Sequence, residues 1–275
     1  MRIPKDLAVW EYAPSRRLAE VTVLLKNVKG ALAQCSKAVA DMEVMVLSGF
    51  TSAASESVVG IWSFFADVTE ANADLSTIRA RLLELPVVES VEIAAAEDGF
   101  MVEKQNFPVR FSKRRALIMR TDVLTGMFSH LWKVFGSGAA TILDQMAEAM
   151  GRCTAEEILA DFGRDFAMQE LDEILRTYTA LGYADLEVRR DGEYSMTIHA
   201  NSLFECESNA KSEIGRKSIF FRGHLRGFVS TLFDGDFEVT ELECVAQGDK
   251  ACSFNVARTE RLATTLAHKQ GKAIP

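Results

Sequence analysis

The chain has 275 residues, of which 48% are hydrophobic and 25% are charged, a composition typical of globular proteins with well-formed cores. Its formal net charge of −8 disfavours a nucleic-acid-binding surface, because such a surface needs clustered lysines and arginines to neutralise phosphates. No apolar run is long enough to span a bilayer and no signal peptide is recognisable, so the five cysteines are expected to stay reduced in the cytoplasm.

Residues 1–97 carry strand and helix signals in the order β-α-β-β-α-β, which predicts a ferredoxin-like domain. Leu32, Cys35 and Val39 have the spacing of an amphipathic helix, and Pro86 ends the second helical segment. The predicted elements are a strand at 18–25, a helix at 31–42, strands at 44–50 and 58–68, a helix at 75–85 and a strand at 87–94.

The turn after the first strand, Asn27-Val28-Lys29-Gly30-Ala31-Leu32, resembles the ACT domain, a ferredoxin-like family whose members bind amino acids or other small effectors. Gly30 and the following Ala-Leu fit the family pattern, whereas Asn27 and Lys29 stand where members often have an acidic residue and a proline. The resemblance implies a regulatory or dimerising module, with Asn27 and Gly30 as a candidate effector loop. A structural or dimerising role is favoured over effector binding.

Residues 98–113 lack periodicity, so we predict a linker before a second, mixed α/β domain at 114–258. Thr154 and Glu157 form a possible capping box, so Gly151 is expected to separate two helices. The predicted elements are a strand at 115–119, a helix with an apolar stripe from Leu124 to Phe135, a helix at 139–150, helical spacing from Thr154 to Tyr178, strands at 184–190 and 193–200, a helix at 218–233 and a final hairpin; a polar tail at 259–275 follows.

The final hairpin brings two cysteines into register. A turn centred on Gly248 places Cys244 opposite Cys252, with Cβ atoms roughly 4.5–5.5 Å apart, close enough to share a metal ion or a disulfide. A metal site is favoured over a buried apolar pair, and a redox disulfide is the third alternative. Glu241 precedes Cys244 by three residues, so a bulge or strand end must bring both to one face. Cys35 and Cys153 are expected to be buried in helical cores.

The segment from Phe221 to Phe228, Phe-Arg-Gly-His-Leu-Arg-Gly-Phe, followed by Glu241-x-x-Cys244, Gly248-Asp249 and Cys252-x-Phe254, resembles the 4-vinyl-reductase domain. This family includes aromatic-sensing input domains of bacterial transcription activators, and its fold is similar to that of transport-protein-particle subunits. The resemblance implies an α/β ligand-binding module, often dimeric, with an enclosed hydrophobic pocket.

In the aromatic sensors of this family, a glutamate and three cysteines hold a zinc ion. Glu241, Cys244 and Cys252 match that pattern, but Ser218 stands at the position expected for the remaining cysteine. Cys206 is the first candidate to complete a structural zinc site and His224 is the second, because zinc prefers four ligands in a tetrahedron.

These features favour a cytoplasmic small-molecule sensor or regulatory protein over an enzyme, because no nucleotide-binding loop and no nucleophile with an evident base is present. The expected ligand is a small apolar or aromatic molecule, and the protein is expected to be a homodimer that signals through a separate output protein. An enzyme or carrier acting on a tetrapyrrole or other large apolar substrate is one alternative, and a ligand-free interaction module is another. The predicted pocket residues are Phe128, Trp132, Phe221, His224 and Phe228.

Overall fold

The computed structural model describes residues 3–53, 57–111, 114–207 and 218–259. They form two compact units, divided between Leu117 and Ile118, and each unit combines helices with an antiparallel sheet. The predicted polar tail lies outside the described residues except for Thr259. Among the described residues, no helix combines the length and the apolar character needed to cross a bilayer.

The first unit has the predicted ferredoxin-like topology, with the strand order β3-β4-β2-β5 and every neighbouring pair antiparallel. Alternate side chains of the strands, such as Val21, Val23 and Phe64, pack with both helices in one buried core. The elements are β1 (Trp10–Tyr12), β2 (Leu18–Lys26), α1 (Ala31–Asp41), β3 (Met45–Ser52), β4 (Val59–Asp67), α2 (Leu75–Leu83), β5 (Val88–Ala95), β6 (Phe100–Val102), β7 (Arg110–Phe111) and β8 (Arg114–Arg115).

The opposite face of this sheet is covered by residues of the predicted linker. Strand β6 pairs with β1, and Met101 packs against Leu18 and Phe65. The buried carboxylate of Glu20 accepts hydrogen bonds from the segment that follows β6, including one of 2.8 Å from the backbone N–H of Lys104. Residues 100–106 therefore form part of the first unit.

The second unit contains a four-stranded antiparallel sheet in the order β11-β12-β10-β9. Helix α5 packs near β9, α7 lies against β11, and α4 runs along α7. The elements are α3 (Thr121–Phe135), α4 (Gly138–Phe162), α5 (Leu171–Ala180), β9 (Asp185–Arg190), β10 (Ser195–Asn201), α6 (Phe204–Glu207), α7 (Ile219–Leu232), β11 (Phe237–Glu243) and β12 (Cys252–Arg258).

Helix α4 is continuous through Gly151, so the prediction of two helices separated there is wrong. A Cβ atom at Gly151 would lie 2.1 Å from the carbonyl oxygen of His224, which shows that this glycine permits close contact between α4 and α7. Thr154 bonds to the carbonyl of Met150 inside the helix instead of capping a new one. Cys153, on α4, is exposed, so the prediction that it is buried is wrong.

The prediction of a strand at 115–119 is also wrong, except for Arg115. Only Arg114–Arg115 forms a strand, β8, and the chain has no regular structure from there to the start of α3. The apolar residues of this stretch are exposed, with Leu117 at 83% and Ile118 at 54%. A run of apolar residues without a neighbouring strand does not form a sheet, because its backbone groups need partners.

Candidate functional site

Three buried cysteines meet in the second unit. Cys206 lies on the short helix α6, Cys244 follows β11, and Cys252 begins β12. Their sulfur atoms all lie within 4.8 Å of one another, and the Sγ atoms of Cys206 and Cys244 are 3.6 Å apart. A tetrahedral zinc site with Zn–S bonds of about 2.3 Å has edges of about 3.8 Å, so the spacing fits a metal site.

The local backbone explains how Glu241 and Cys244 come to the same side of the sheet. The register between β11 and β12 shifts between Glu241 and Glu243, so of the two expected devices, a bulge or a strand end, the structure contains a bulge. Leu242 is consequently 58% exposed, whereas Glu241 and Cys244 are buried. After Cys244 the chain makes a single 3-10 turn, and Gly248 ends it with a φ of 103°, a conformation that favours glycine.

Ser218 lies among the thiols, immediately before α7. Its Oγ atom is 3.0 Å from the sulfur of Cys206, 3.8 Å from that of Cys244 and 4.0 Å from that of Cys252. The same hydroxyl donates a 2.6 Å hydrogen bond to Glu241, and the backbone N–H of Ser218 also donates to that carboxylate. Glu241 is thereby held beside the cysteine cluster, although it is not one of the groups within 4.8 Å of each other.

A second buried carboxylate, that of Glu205, caps the start of α7. It accepts hydrogen bonds from the backbone N–H groups of Phe220 at 3.0 Å and Phe221 at 2.9 Å, which have no partner within the helix. Burial raises the pKa of both Glu205 and Glu241 to about 7. Glu205 was not among the predicted site residues, and the only sign of it in the sequence is its position next to the candidate ligand Cys206.

The thiols of Cys206 and Cys252 do not ionise independently. Hydrogen bonds from Cys206 and Cys244 lower the pKa of Cys252, and the backbone N–H of Val245, 3.4 Å from its sulfur, acts in the same direction. Hydrogen bonds with Cys244 and Cys252 raise the pKa of Cys206. Cys206 and Cys252 therefore titrate as a coupled pair. Thiolates are soft ligands, and this donor set with a nearby carboxylate is chemically suited to zinc.

The predicted pocket residues lie in the core of the second unit. Phe128, Phe221, His224 and Phe228 are buried, and Trp132 packs partly buried against the same core. The ring of Phe221 lies 5.3 Å from that of Phe254 on β12. The structure thus gathers these residues around α7, where they contribute to packing.

His224 is not part of the thiol cluster. Its Nε2 atom is 2.9 Å from the hydroxyl oxygen of Tyr178 on α5, a hydrogen bond that joins two helices. Burial lowers the pKa of His224 to about 4, so the ring is neutral at neutral pH. The sequence gives no local sign of this bond, since the two residues are 46 positions apart.

Among the surface cavities that the described residues of the second unit form, two are lined by none of the predicted pocket residues. The smaller, about 210 Å³, is lined by residues that include Glu148, Arg152 and Asp234. The larger, about 700 Å³, is lined by residues that include Tyr194, Asp236 and Arg258. The walls of the smaller cavity are mainly polar and charged, which does not suit an apolar ligand, whereas the larger cavity combines charged side chains with a greater share of apolar surface.

The two residues of the candidate effector loop, Asn27 and Gly30, both have structural roles in the first unit. The side-chain amide of Asn27 donates a 2.9 Å hydrogen bond to the carbonyl of Ser57. Gly30, with a φ of 81°, is the residue that precedes α1. Both residues therefore help to shape the connection from β2 to α1.

Comparison with known proteins identifies a family for part of the second unit. Residues 197–258 match the 4-vinyl-reductase domain, which confirms the resemblance within that range. All three clustered cysteines, with Ser218 and Glu241, lie inside it.

An uncharacterized protein from Methanocaldococcus jannaschii is 26% identical over 131 residues, which cover 46% of this chain and 80% of that protein. The phenol-responsive sensory domain of the transcription activator PoxR, solved with phenol, is similar in structure with a TM-score of 0.47 and 19% identity, over 55% of this chain and 80% of that one. A vinyl-4-reductase family protein from Methanocaldococcus jannaschii is also similar in structure, with a TM-score of 0.36 and 20% identity. The similarity covers 53% of this chain and 85% of that one.

Proposed function

We propose that this chain is a cytoplasmic small-molecule sensor or regulatory protein whose 4-vinyl-reductase domain binds an apolar or aromatic ligand and contains a structural zinc site. The observation that carries the proposal is the group of three buried thiols within 4.8 Å of one another, inside the range that matches the family. Three buried thiols with no metal would be an unusual concentration of ionisable groups, whereas metal binding gives them a stabilising role.

Cys206, Cys244 and Cys252 would hold the ion as thiolates, and Glu241 is the nearest candidate for a fourth ligand. Zinc would supply a cross-link between elements that are distant in sequence, namely α6, β11 and β12. Ser218 orients Glu241 beside the thiols through two donors, its hydroxyl and its backbone N–H. Cys206 would provide the third thiolate, since position 218 is a serine.

The ligand would bind among the aromatic residues around α7, close to Phe128, Trp132, Phe221 and Phe228. Support comes from the clustering of these rings in the second unit, with Phe128 and Phe220 4.8 Å apart. Binding there would move α7, which begins at the thiol cluster. The protein would act as a homodimer, with the ACT-like first unit as a dimerising module, and would signal through a separate output protein.

Elemental analysis of matched cysteine variants tests the metal site. Cys252→Ser should lose zinc and unfold at a lower temperature, because structural zinc contributes to folding free energy. Cys153→Ser is the matched control, since Cys153 is exposed and lies outside the cluster, and it should keep its zinc. Equal zinc content in both variants would contradict the proposed site.

A further inference from the structure

We infer that the hydroxyl oxygen of Ser218 is the fourth ligand of the proposed zinc site, and that Glu241 acts from outside the ligand set by holding this hydroxyl in position. The inference rests on the zinc site proposed above and deepens it by assigning its oxygen donor. It starts from the distances between Ser218 and the three thiols.

The position of the Ser218 hydroxyl matches one corner of a tetrahedral site. Its Oγ atom lies 3.0 Å from the sulfur of Cys206, 3.8 Å from that of Cys244 and 4.0 Å from that of Cys252. With Zn–S bonds of about 2.3 Å and a Zn–O bond of about 2.0–2.2 Å, the oxygen of a tetrahedral site lies about 3.5 Å from each sulfur. All three distances fall within about 0.5 Å of that value, so a single ion can contact the oxygen and the three sulfur atoms.

The single proton of the Ser218 hydroxyl is engaged with Glu241, to which it is donated over 2.6 Å. The lone pairs of Oγ are therefore left for the sulfur atoms around it. In a loaded zinc site those sulfur atoms are thiolates, which repel the lone pairs of a neighbouring oxygen. A cation among them attracts both kinds of atom, so this orientation of the hydroxyl is that of a metal ligand.

The carboxylate of Glu241 is occupied by Ser218 through both of its oxygens. Oε1 accepts from the hydroxyl, and the backbone N–H of Ser218 donates to Oε1 at 3.2 Å and to Oε2 at 3.1 Å. Glu241 is also absent from the group of side chains whose ligand atoms lie within 4.8 Å of one another among the described residues. Carboxylates commonly accept hydrogen bonds from metal ligands and fix their orientation. Glu241 is therefore a positioning residue for Ser218.

The backbone holds Ser218 firmly beside the thiols. Ser218 is fully buried and immediately precedes α7. The first turn of that helix is fixed by Glu205, which accepts hydrogen bonds from the backbone N–H groups of Phe220 and Phe221. Coordination through Ser218 would consequently attach the start of α7 to the same ion as α6 and the β11–β12 hairpin.

Two variants of the full chain separate the role of ligand from that of positioning residue. Ser218→Ala removes the oxygen donor, so its zinc dissociation constant, measured by competition with a chelator, should rise at least roughly 10-fold. Glu241→Gln keeps an amide oxygen that can accept from the hydroxyl of Ser218, so its dissociation constant should rise by less than that of Ser218→Ala. An equal or larger rise for Glu241→Gln would overturn the assignment.

A third variant keeps the inference testable if circular dichroism shows that Ser218→Ala does not fold. Ser218→Cys places a sulfur atom where the hydroxyl oxygen lies, and X-ray absorption at the zinc edge distinguishes sulfur from oxygen donors. The wild-type chain and Glu241→Gln should both show three sulfur donors and one oxygen, whereas Ser218→Cys should show four sulfur donors. An oxygen donor retained in Ser218→Cys, or lost in Glu241→Gln, would contradict coordination by Ser218.

The outcomes separate this inference from the zinc site on which it rests. A wild-type chain that binds zinc, but whose variants give either contrary result, would keep the zinc site and overturn only the assignment of Ser218. A wild-type chain that binds no zinc in the chelator competition would overturn both.

Discussion

The hydroxyl of Ser218 donates a 2.6 Å hydrogen bond to Glu241 and lies 3.0 Å from the sulfur of Cys206. In the proposed zinc site, the hydroxyl of Ser218 lies beside the sulfur atoms and the third thiol would be that of Cys206 on α6. The side chains at positions 206 and 218 are therefore close enough that a thiol at either position could reach the same point of the cluster.

This proximity predicts that a thiol can be moved from one position to the other. Cys206→Ser should lose most of its zinc, and the double variant Cys206→Ser with Ser218→Cys should recover it, because the number of thiolates is restored in the same place. Zinc content by elemental analysis is the readout. Retention of full zinc by Cys206→Ser would show that Cys206 is not a ligand.

The close approach of α4 and α7 predicts a large penalty for Gly151→Ala. Its Cβ atom would lie 2.1 Å from the carbonyl oxygen of His224, so the helices must separate, and the free energy of unfolding should fall by about 1–3 kcal/mol or more. Chemical denaturation measures this change.

Gly126→Ala is the matched control for that substitution. Gly126 lies on α3 with nothing within 4 Å of an added Cβ atom, so alanine should stabilise the helix by roughly 0.5–1 kcal/mol. Opposite signs for the two substitutions are expected. A neutral or stabilising Gly151→Ala would contradict the packing described for α4 and α7.

The buried imidazole predicts a pH dependence of stability. Burial lowers the pKa of His224 from 6.5 to about 4, so between these values the unfolded chain binds more protons and the free energy of unfolding falls as the pH drops. The contribution is on the order of 3 kcal/mol, from about 1.4 kcal/mol per pKa unit.

The measurement is the difference in unfolding free energy between the wild-type chain and His224→Gln from pH 7 to pH 4. Glu205 and Glu241, whose pKa values are raised to about 7, contribute stability that is lost as the pH rises, so they oppose His224 over the same range. Their contribution is common to both proteins and cancels in the difference. Parallel pH profiles would contradict the neutral buried imidazole.

Local patterns in the sequence were enough to predict most of the strands and helices. Alternation and turn residues located β9 and β10. The spacing of Glu241 and Cys244 required a bulge or a strand end, and the structure contains a bulge there. These features depend on neighbours within a few residues, which a sequence displays directly.

Features that depend on distant residues were missed. Gly151 looks like a helix end in sequence, but its role is set by the backbone of His224 on another helix. The capping of α7 by Glu205 and the bond from Tyr178 to His224 likewise join separate elements. Tertiary contacts of this kind override local propensity, so periodicity cannot reveal them.

Native mass spectrometry of the untagged chain, purified without chelators, would establish whether the thiol cluster holds zinc. About one zinc ion per chain is expected for a single tetrahedral site, together with an additional small mass from a retained apolar ligand. A chain that carries no metal, and whose three clustered thiols all react with alkylating agents after unfolding, would contradict the zinc site and leave a buried cysteine core in its place.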